Sequence, residues 1–148
     1  MENVLWLDDD TAFMEAHCVG LELAGFRVDR ALSLTDGLRK LGGNSQYGLL
    51  ILDVMIPVGA QEREHFSPEA TDNGKLSGLA FYRLFKRMLA ERKTEVLVVT
   101  VRDEKEVRDC FVTEGLPDRN YVRKSDIQDV SDLVRKVRDV LSPGERQG

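Results

Sequence analysis

The stretch Leu49-Leu50-Ile51-Leu52-Asp53-Val54-Met55-Ile56-Pro57 runs four apolar residues straight into a carboxylate. A short, continuous apolar run of this kind predicts a strand buried on both faces of a parallel sheet. Asp53 then stands where the strand leaves the core. Near the N-terminus, Val4-Leu5-Trp6-Leu7 ends the same way, on Asp8-Asp9-Asp10. Two buried strands that both stop on acids bring like charges together at one sheet edge. That is costly unless a cation or a proton neutralises them.

A third run, Val96-Leu97-Val98-Val99, and two weaker strands, Phe26 to Arg30 and Arg119 to Arg123, complete the strand set. Segments of helical period separate them. In the last, Ile127, Val130, Val134, Val137 and Leu141 recur at intervals of three and four and predict one apolar stripe. Gly25, Gly42-Gly43 and Gly115 with Pro117 are placed as helix stops. Ser33 with Asp36, and Ser125 with Gln128, have the spacing of capping boxes that start the second and fifth helices. Five strands alternating with five helices predict right-handed crossovers and a doubly wound α/β sheet in one domain over residues 1–141, with a short polar tail at 142–148.

One connection breaks the rhythm. From about residue 58 to 77 the chain is polar, rich in acids, Gly and Pro, and has no clear period. Loops between strand and helix usually take about 2–6 residues, so this is an insertion between the third strand and the third helix. Its plain reading is a tolerated surface loop; its functional reading rests on its start just after Asp53.

Composition narrows the classes. With 148 residues, 42% apolar and 32% charged, the chain can bury a core of its own. A net charge of −5 argues against nucleic acid as a direct partner. No apolar stretch approaches the roughly 20 residues of a membrane span. The chain opens on a strand without a basic region and apolar segment, and Cys18 and Cys110 lack metal-ligand spacing, so a cytoplasmic setting is expected.

In an open α/β sheet the ligand site lies outside the carboxyl ends of the strands. Here that edge receives Asp8 and Asp9, Asp53, Thr100 and Lys124. The carboxylates suit Mg²⁺, a hard cation that takes oxygen ligands. A hydroxyl and an ammonium are the donors that phosphoryl oxygens need. Asp53, between metal and lysine, is placed as a nucleophile that becomes an acyl phosphate.

At this point the chain resembles the receiver domain of two-component response regulators over essentially its whole length. The resemblance rests on Asp8-Asp9, Asp53 with Met55 and Pro57, Gly78, Thr100, and Tyr121 three residues before Lys124. It implies a flavodoxin-like, three-layer α/β/α fold with strand order 2-1-3-4-5. It implies a signalling domain and not an enzyme, phosphorylated on Asp53 by a histidine kinase or a histidine phosphotransfer protein. Mg²⁺ would be held by Asp9, Asp53 and the Met55 backbone carbonyl, with Asp8 acting through water. Thr100 and Lys124 would bind the phosphoryl group and Tyr121 would turn inward. Output would pass through the face of the fourth helix, fifth strand and fifth helix to a target protein or a second copy.

Three positions depart from the family pattern: Ser125 where a proline is usual, Val101 where a small residue is common, and the long insertion. Val101 is β-branched and is expected to narrow access to Asp53. The rival from another class is a Mg²⁺-dependent phosphatase of the haloacid dehalogenase type, since Asp8-x-Asp10 resembles its first motif, but Ala12 departs from it and Asp53 is left without a role. A non-phosphorylated pseudo-receiver is the other rival. Single residues also admit plainer roles. Asp10 is expected to cap the first helix, Trp6, Phe81 and Phe85 to be core, and Tyr121 to be either a switch or a core aromatic. His17 and His65 have no partner at metal spacing, and Asn73-Gly74-Lys75 lacks the pattern of a phosphate-binding loop.

Overall fold

The computed structural model describes residues 2–43, 45–64, 66–72 and 74–142. Its strands are β1 (Asn3–Leu7), β2 (Arg27–Ala31), β3 (Leu49–Leu52), β4 (Glu95–Thr100) and β5 (Tyr121–Arg123). They form one sheet in the order β2-β1-β3-β4-β5, with every pairing parallel. The helices are α1 (Thr11–Leu23), α2 (Leu34–Leu41), α3 (Pro68–Thr71), α4 (Ser77–Glu91), α5 (Lys105–Thr113) and α6 (Val130–Leu141). No helix among the described residues is long and apolar enough to cross a membrane.

The central strands are apolar without interruption because both sheet faces are covered. Leu5, Leu7, Leu50, Leu52 and Val98 enter one core with Leu34 of α2, Phe81 of α4 and Phe111 of α5. Their neighbours in sequence, Val4, Trp6, Leu49, Ile51 and Val99, enter the other with Met14 of α1 and Leu133 of α6. Successive side chains alternate between faces, so two cores require apolar residues at every position. Trp6 and Phe81 are fully buried, and Phe85 packs on the core half-buried. Cys18 is buried, Cys110 half-buried, and both are free thiols.

Several boundaries differ from expectation. β2 lies one residue later, and β5 is shorter because Asp118–Asn120 form a 3-10 turn. The Asn120 side chain there donates to the Val96 carbonyl at 2.9 Å. The Ser125–Gln128 box does not start the last helix. Ser125 lies in a 3-10 turn, Lys124–Asp126, and Ile127 is extended, with φ −98° and ψ 90°. The capping box is Asp129 with Asp132: Asp129 accepts from the backbone N–H groups of Ser131 and Asp132, and Asp132 accepts from the N–H of Asp129. The buried stripe of α6 is accordingly Leu133, Val137 and Val140, while Val130 is exposed and Ile127 joins the core from outside the helix. Ser33 does cap α2, accepting from the Asp36 N–H at 3.2 Å. No cis peptide bond occurs among the described residues.

The sixth helix, α3, comes from the insertion, which is folded against the sheet edge. Its stem is closed at Ile56 and Ser77: the Ser77 hydroxyl donates to the Ile56 carbonyl at 2.6 Å and accepts from its N–H at 2.8 Å. Phe66 is 1% exposed and stacks on Phe81, with ring centroids 6.2 Å apart. Burying a side chain of this size stabilises by about 1.5–3 kcal/mol, enough to hold a polar segment down. Glu62 is buried and accepts from the Thr35 N–H in the first turn of α2 at 3.2 Å, a favourable place for a carboxylate. The insertion, aperiodic in sequence, thus carries a short helix and buried anchors. One aromatic and one acid anchor the segment across the top of the sheet.

Candidate functional site

Register brings the two acidic strand ends together. Leu7 of β1 pairs with Leu52 of β3, so Asp8 and Asp53 leave the sheet side by side. The Asp53 N–H donates to the Leu7 carbonyl and the Asp8 N–H to the Ala31 carbonyl, both at 3.0 Å. On the other side of β3, β4 ends on Thr100, which pairs with Arg123 of β5, and Lys124 follows directly.

The ends of β1, β3 and β5 make one compact ionic site. Among the described residues, Asp8, Asp9 and Asp53 are the group of acids, histidines or cysteines able to share a cation: one oxygen of each lies within 4.8 Å of the others. Lys124 reaches into them, with Nζ 3.0 Å from Asp8 Oδ2, 3.3 Å from Asp10 Oδ2 and 3.7 Å from Asp53 Oδ2. Asp8 is fully buried, Asp53 5% exposed and Lys124 9% exposed. Burial first, and the neighbouring Asp53 charge second, push the Asp8 carboxyl up to about 6. Burial pulls the Lys124 ammonium down, but the Asp53, Asp8 and Asp10 carboxylates outweigh it and leave its pKa raised. Asp8 Oδ1 accepts from the Asp10 N–H at 2.9 Å, whereas Oδ2 meets Lys124 as an ion pair without hydrogen-bond alignment. A buried carboxylate oxygen with lone pairs to spare, beside two more acids, suits a hard divalent cation. The donor set fits Mg²⁺.

A raised carboxyl pKa means that the folded chain holds a proton more tightly than the unfolded one. The associated stability is complete below the ordinary value near 3.8 and is lost as pH rises through about 6. Asp8→Asn mimics the protonated form at every pH. In metal-free buffer its stability is expected to match wild type near pH 4 and to exceed it by about 1–3 kcal/mol at pH 8. Urea titrations of both proteins across that range check the sign; a gap that does not widen with pH rules the assignment out.

The main chain around Asp53 depends on Gly78. A Cβ at position 78 would lie 1.9 Å from the Asp53 carbonyl oxygen and 2.9 Å from Val54 Cα. The Gly78 N–H donates to the Val54 carbonyl at 2.7 Å. The start of α4 therefore rests directly on the backbone that carries Asp53, and only a glycine permits that approach.

Thr100 and Tyr121 converge on a residue that sequence reasoning did not single out. Thr100 Oγ1 accepts from the Arg102 N–H at 3.2 Å, and the Tyr121 hydroxyl donates to the Arg102 carbonyl at 2.7 Å. Tyr121 is buried against Phe111, and burial pushes its phenol up to about 12. The Arg102 guanidinium continues outward to the Lys75 carbonyl at 3.2 Å and to Glu104 at 2.9 Å. Arg102 thus joins both candidate switch residues to the insertion. Its position soon after Thr100 was the available signal, but a polar residue in a loop does not announce its partners.

Asp10 does cap α1, accepting from the Phe13 N–H at 3.1 Å, and also belongs to the Lys124 cluster. Phe13 was missed as well; Lys124 Nζ lies 5.0 Å from its ring centroid, a cation–π contact. A cavity of about 660 Å³ opens above the acids. Its walls include Asp9, Asp53, Lys124 and Met55, the exposed Val101 on one side and the insertion on the other. His17 is buried against Phe13, and burial lowers its pKa. His65, Asn73 and residues 143–148 lie outside the described residues.

No family model and no curated protein matches the chain. Solved structures do. A CheY-like response regulator receiver domain protein from Methanospirillum hungatei superposes with a TM-score of 0.74 at 21% identity, covering 100% of this chain and 99% of that one. The chemotaxis response regulator CheY4 of Vibrio cholerae gives 0.71 at 19% identity, over 95% and 98%. A response regulator protein from Burkholderia pseudomallei, with a phosphorylated aspartic acid, calcium ion and citrate, gives 0.66 at 21% identity, over 99% and 72%. Full-length superposition, together with the parallel sheet in the order β2-β1-β3-β4-β5, assigns this chain the fold of the response regulator receiver domains.

Proposed function

We propose that residues 1–141 act as a receiver, in which Asp53 takes a phosphoryl group from a histidine kinase or a histidine phosphotransfer protein and output leaves through α5, β5 and α6. The reading is carried by one observation: Asp8, Asp9, Asp53 and Lys124 converge at the carboxyl edge of this sheet, with Thr100 at the end of the adjoining strand. The Burkholderia relative with a phosphorylated aspartic acid and a calcium ion supports it.

Asp9, Asp53 and the Met55 carbonyl would hold Mg²⁺, with Asp8 acting through water. When bound, the ion offsets the negative charge of both the carboxylates and the incoming phosphoryl group. Asp53 Oδ1 is held by the Val54 N–H at 2.8 Å, which leaves Oδ2, facing Lys124, as the attacking oxygen. It forms a bond to phosphorus as the phosphohistidine N–P bond breaks; the departing imidazole nitrogen keeps the electron pair and takes up a proton. Lys124 moves its ammonium from the carboxylates to the new phosphoryl oxygens. Thr100 accepts from Arg102 but donates no hydrogen bond among the described residues, so its proton is available to the same oxygens. As Thr100 turns, it shifts Arg102, the residue that Tyr121 also holds. That biases the packing of β5 and α5, a local charge change read out on a packed face.

Intact mass after incubation with acetyl phosphate and Mg²⁺ tests the reading. One base-labile phosphoryl adduct is expected on the wild type and none on Asp53→Asn. An adduct that survives in Asp53→Asn but disappears in Asp8→Asn points instead to a dehalogenase-type phosphatase. No adduct, with no beryllofluoride binding, points to a pseudo-receiver.

A further inference from the structure

The insertion turns an open sheet edge into a compartment. The cavity of about 660 Å³ above Asp53 falls within the range of small-ligand sites, roughly 300–1,000 Å³. Ile56, Pro57, Val58, Phe66 and Pro68 give it an apolar wall. Arg63 and Lys75 border the same space, and neither side chain has a hydrogen bond or ion pair among the described residues. Both are carried on pinned backbone. Arg63 follows Glu62, whose carboxylate is held at the start of α2, and the Lys75 carbonyl is held by Arg102. Two unpaired cations on an anchored apolar wall suit an amphipathic anion.

We infer that this compartment is a leaving-group subsite and that the chain accepts small acyl phosphates with an apolar body as phosphodonors, Arg63 and Lys75 facing the carboxylate that departs. The inference rests on the proposed phosphorylation of Asp53. In an in-line transfer the leaving group lies opposite the attacking oxygen, and the cavity is the space above Asp53. The donor R–CO–O–PO₃²⁻ loses its phosphoryl group to the Asp53 carboxylate. A P–O bond to Asp53 forms, the P–O bond to the acyl oxygen breaks, and R–COO⁻ keeps the electron pair, with no proton required. Negative charge builds on the acyl oxygen as that bond breaks, and fixed cations aimed at developing charge act on the transition state. The apolar wall holds R.

Phosphorylation rates with benzoyl phosphate and with phosphoramidate, whose leaving group is neutral and has no apolar body, test this on wild type and on an R63A/K75A double variant. Both substitutions fall on exposed side chains, so folding is expected to be unaffected. The expected result is a loss of at least about tenfold in kcat/KM with benzoyl phosphate and less than about twofold with phosphoramidate. Equal losses with both donors, or none with either, overturn the subsite. If no donor labels Asp53, the receiver reading has failed and the subsite is read by itself, through NMR titration with benzylphosphonate. Weaker binding to the double variant than to wild type supports the subsite, and equal or absent binding overturns it.

Discussion

Gly78→Ala is expected to destabilise the protein by about 3 kcal/mol or more and to abolish the proposed phosphoryl transfer to Asp53. The added methyl would sit 1.9 Å from a main-chain oxygen, and a main-chain oxygen cannot rotate out of the way as a flexible side chain can. Either the start of α4 lifts from the sheet or the Asp53 peptide turns. Lifting α4 breaks the Gly78–Val54 bond and strains the Ser77–Ile56 clamp that closes the insertion. Turning the peptide displaces Asp53, the proposed phosphoacceptor. Overpacking of a core usually costs about 1–3 kcal/mol, and collision with backbone belongs at the upper end or beyond. Gly43→Ala is the control, because its Cβ would meet nothing nearer than 3.5 Å. Urea midpoints of the two variants decide the matter: if Gly78→Ala unfolds where Gly43→Ala does, the close approach has no energetic weight.

The second large effect belongs to Lys124. Its ammonium compensates buried Asp8 and Asp53, and removing one partner of a buried ion cluster costs about 3–5 kcal/mol. Lys124→Ala is therefore expected to lose about that much at pH 8 without divalent cations. Two rescues distinguish a charge defect from a packing defect. Acidification to pH 5 lets Asp8, already raised to about 6 and higher still without its cation, take a proton. Mg²⁺ supplies a replacement charge. Both are expected to restore much of the loss, and a deficit indifferent to pH and Mg²⁺ would assign it to the lost aliphatic stem and Phe13 contact instead. Even with Mg²⁺ added, the proposed phosphoryl transfer is expected to run about 10²–10³ times slower, the usual cost of one lost donor to developing charge.

The chain accommodates opposed demands at this edge. Asp8 is held where its charge is unfavourable, which predicts a neutral variant that is more stable but a poorer cation site. Stability forgone at a site is expected where the site must wait for a charged ligand. The same logic explains Arg102. Thr100 accepts from the Arg102 backbone N–H and donates no hydrogen bond among the described residues, so in the proposed receiver its proton is available to a phosphoryl oxygen.

By itself, the sequence determined the alternation of strands and helices, and the residues that stand at the strand ends. Burial on both faces writes an unbroken apolar run, and the end of burial writes a polar residue; both are local consequences of a periodic backbone. Asp8, Asp53, Thr100 and Lys124 were legible for that reason. The start of α6 was misread because Ser125–Gln128 and Asp129–Asp132 both carry cap spacing, and the choice fell to how Ile127 enters the core. The insertion's anchors were not legible because they are not periodic. Phe66 is buried only because Phe81 waits for it, and Glu62 only because the start of α2 lies opposite. The tertiary structure alone decided these contacts, the meeting of Thr100, Tyr121 and Lys75 at Arg102, and the walled space above Asp53. Each joins residues far apart in the chain, and no local period records which distant partner a side chain will meet.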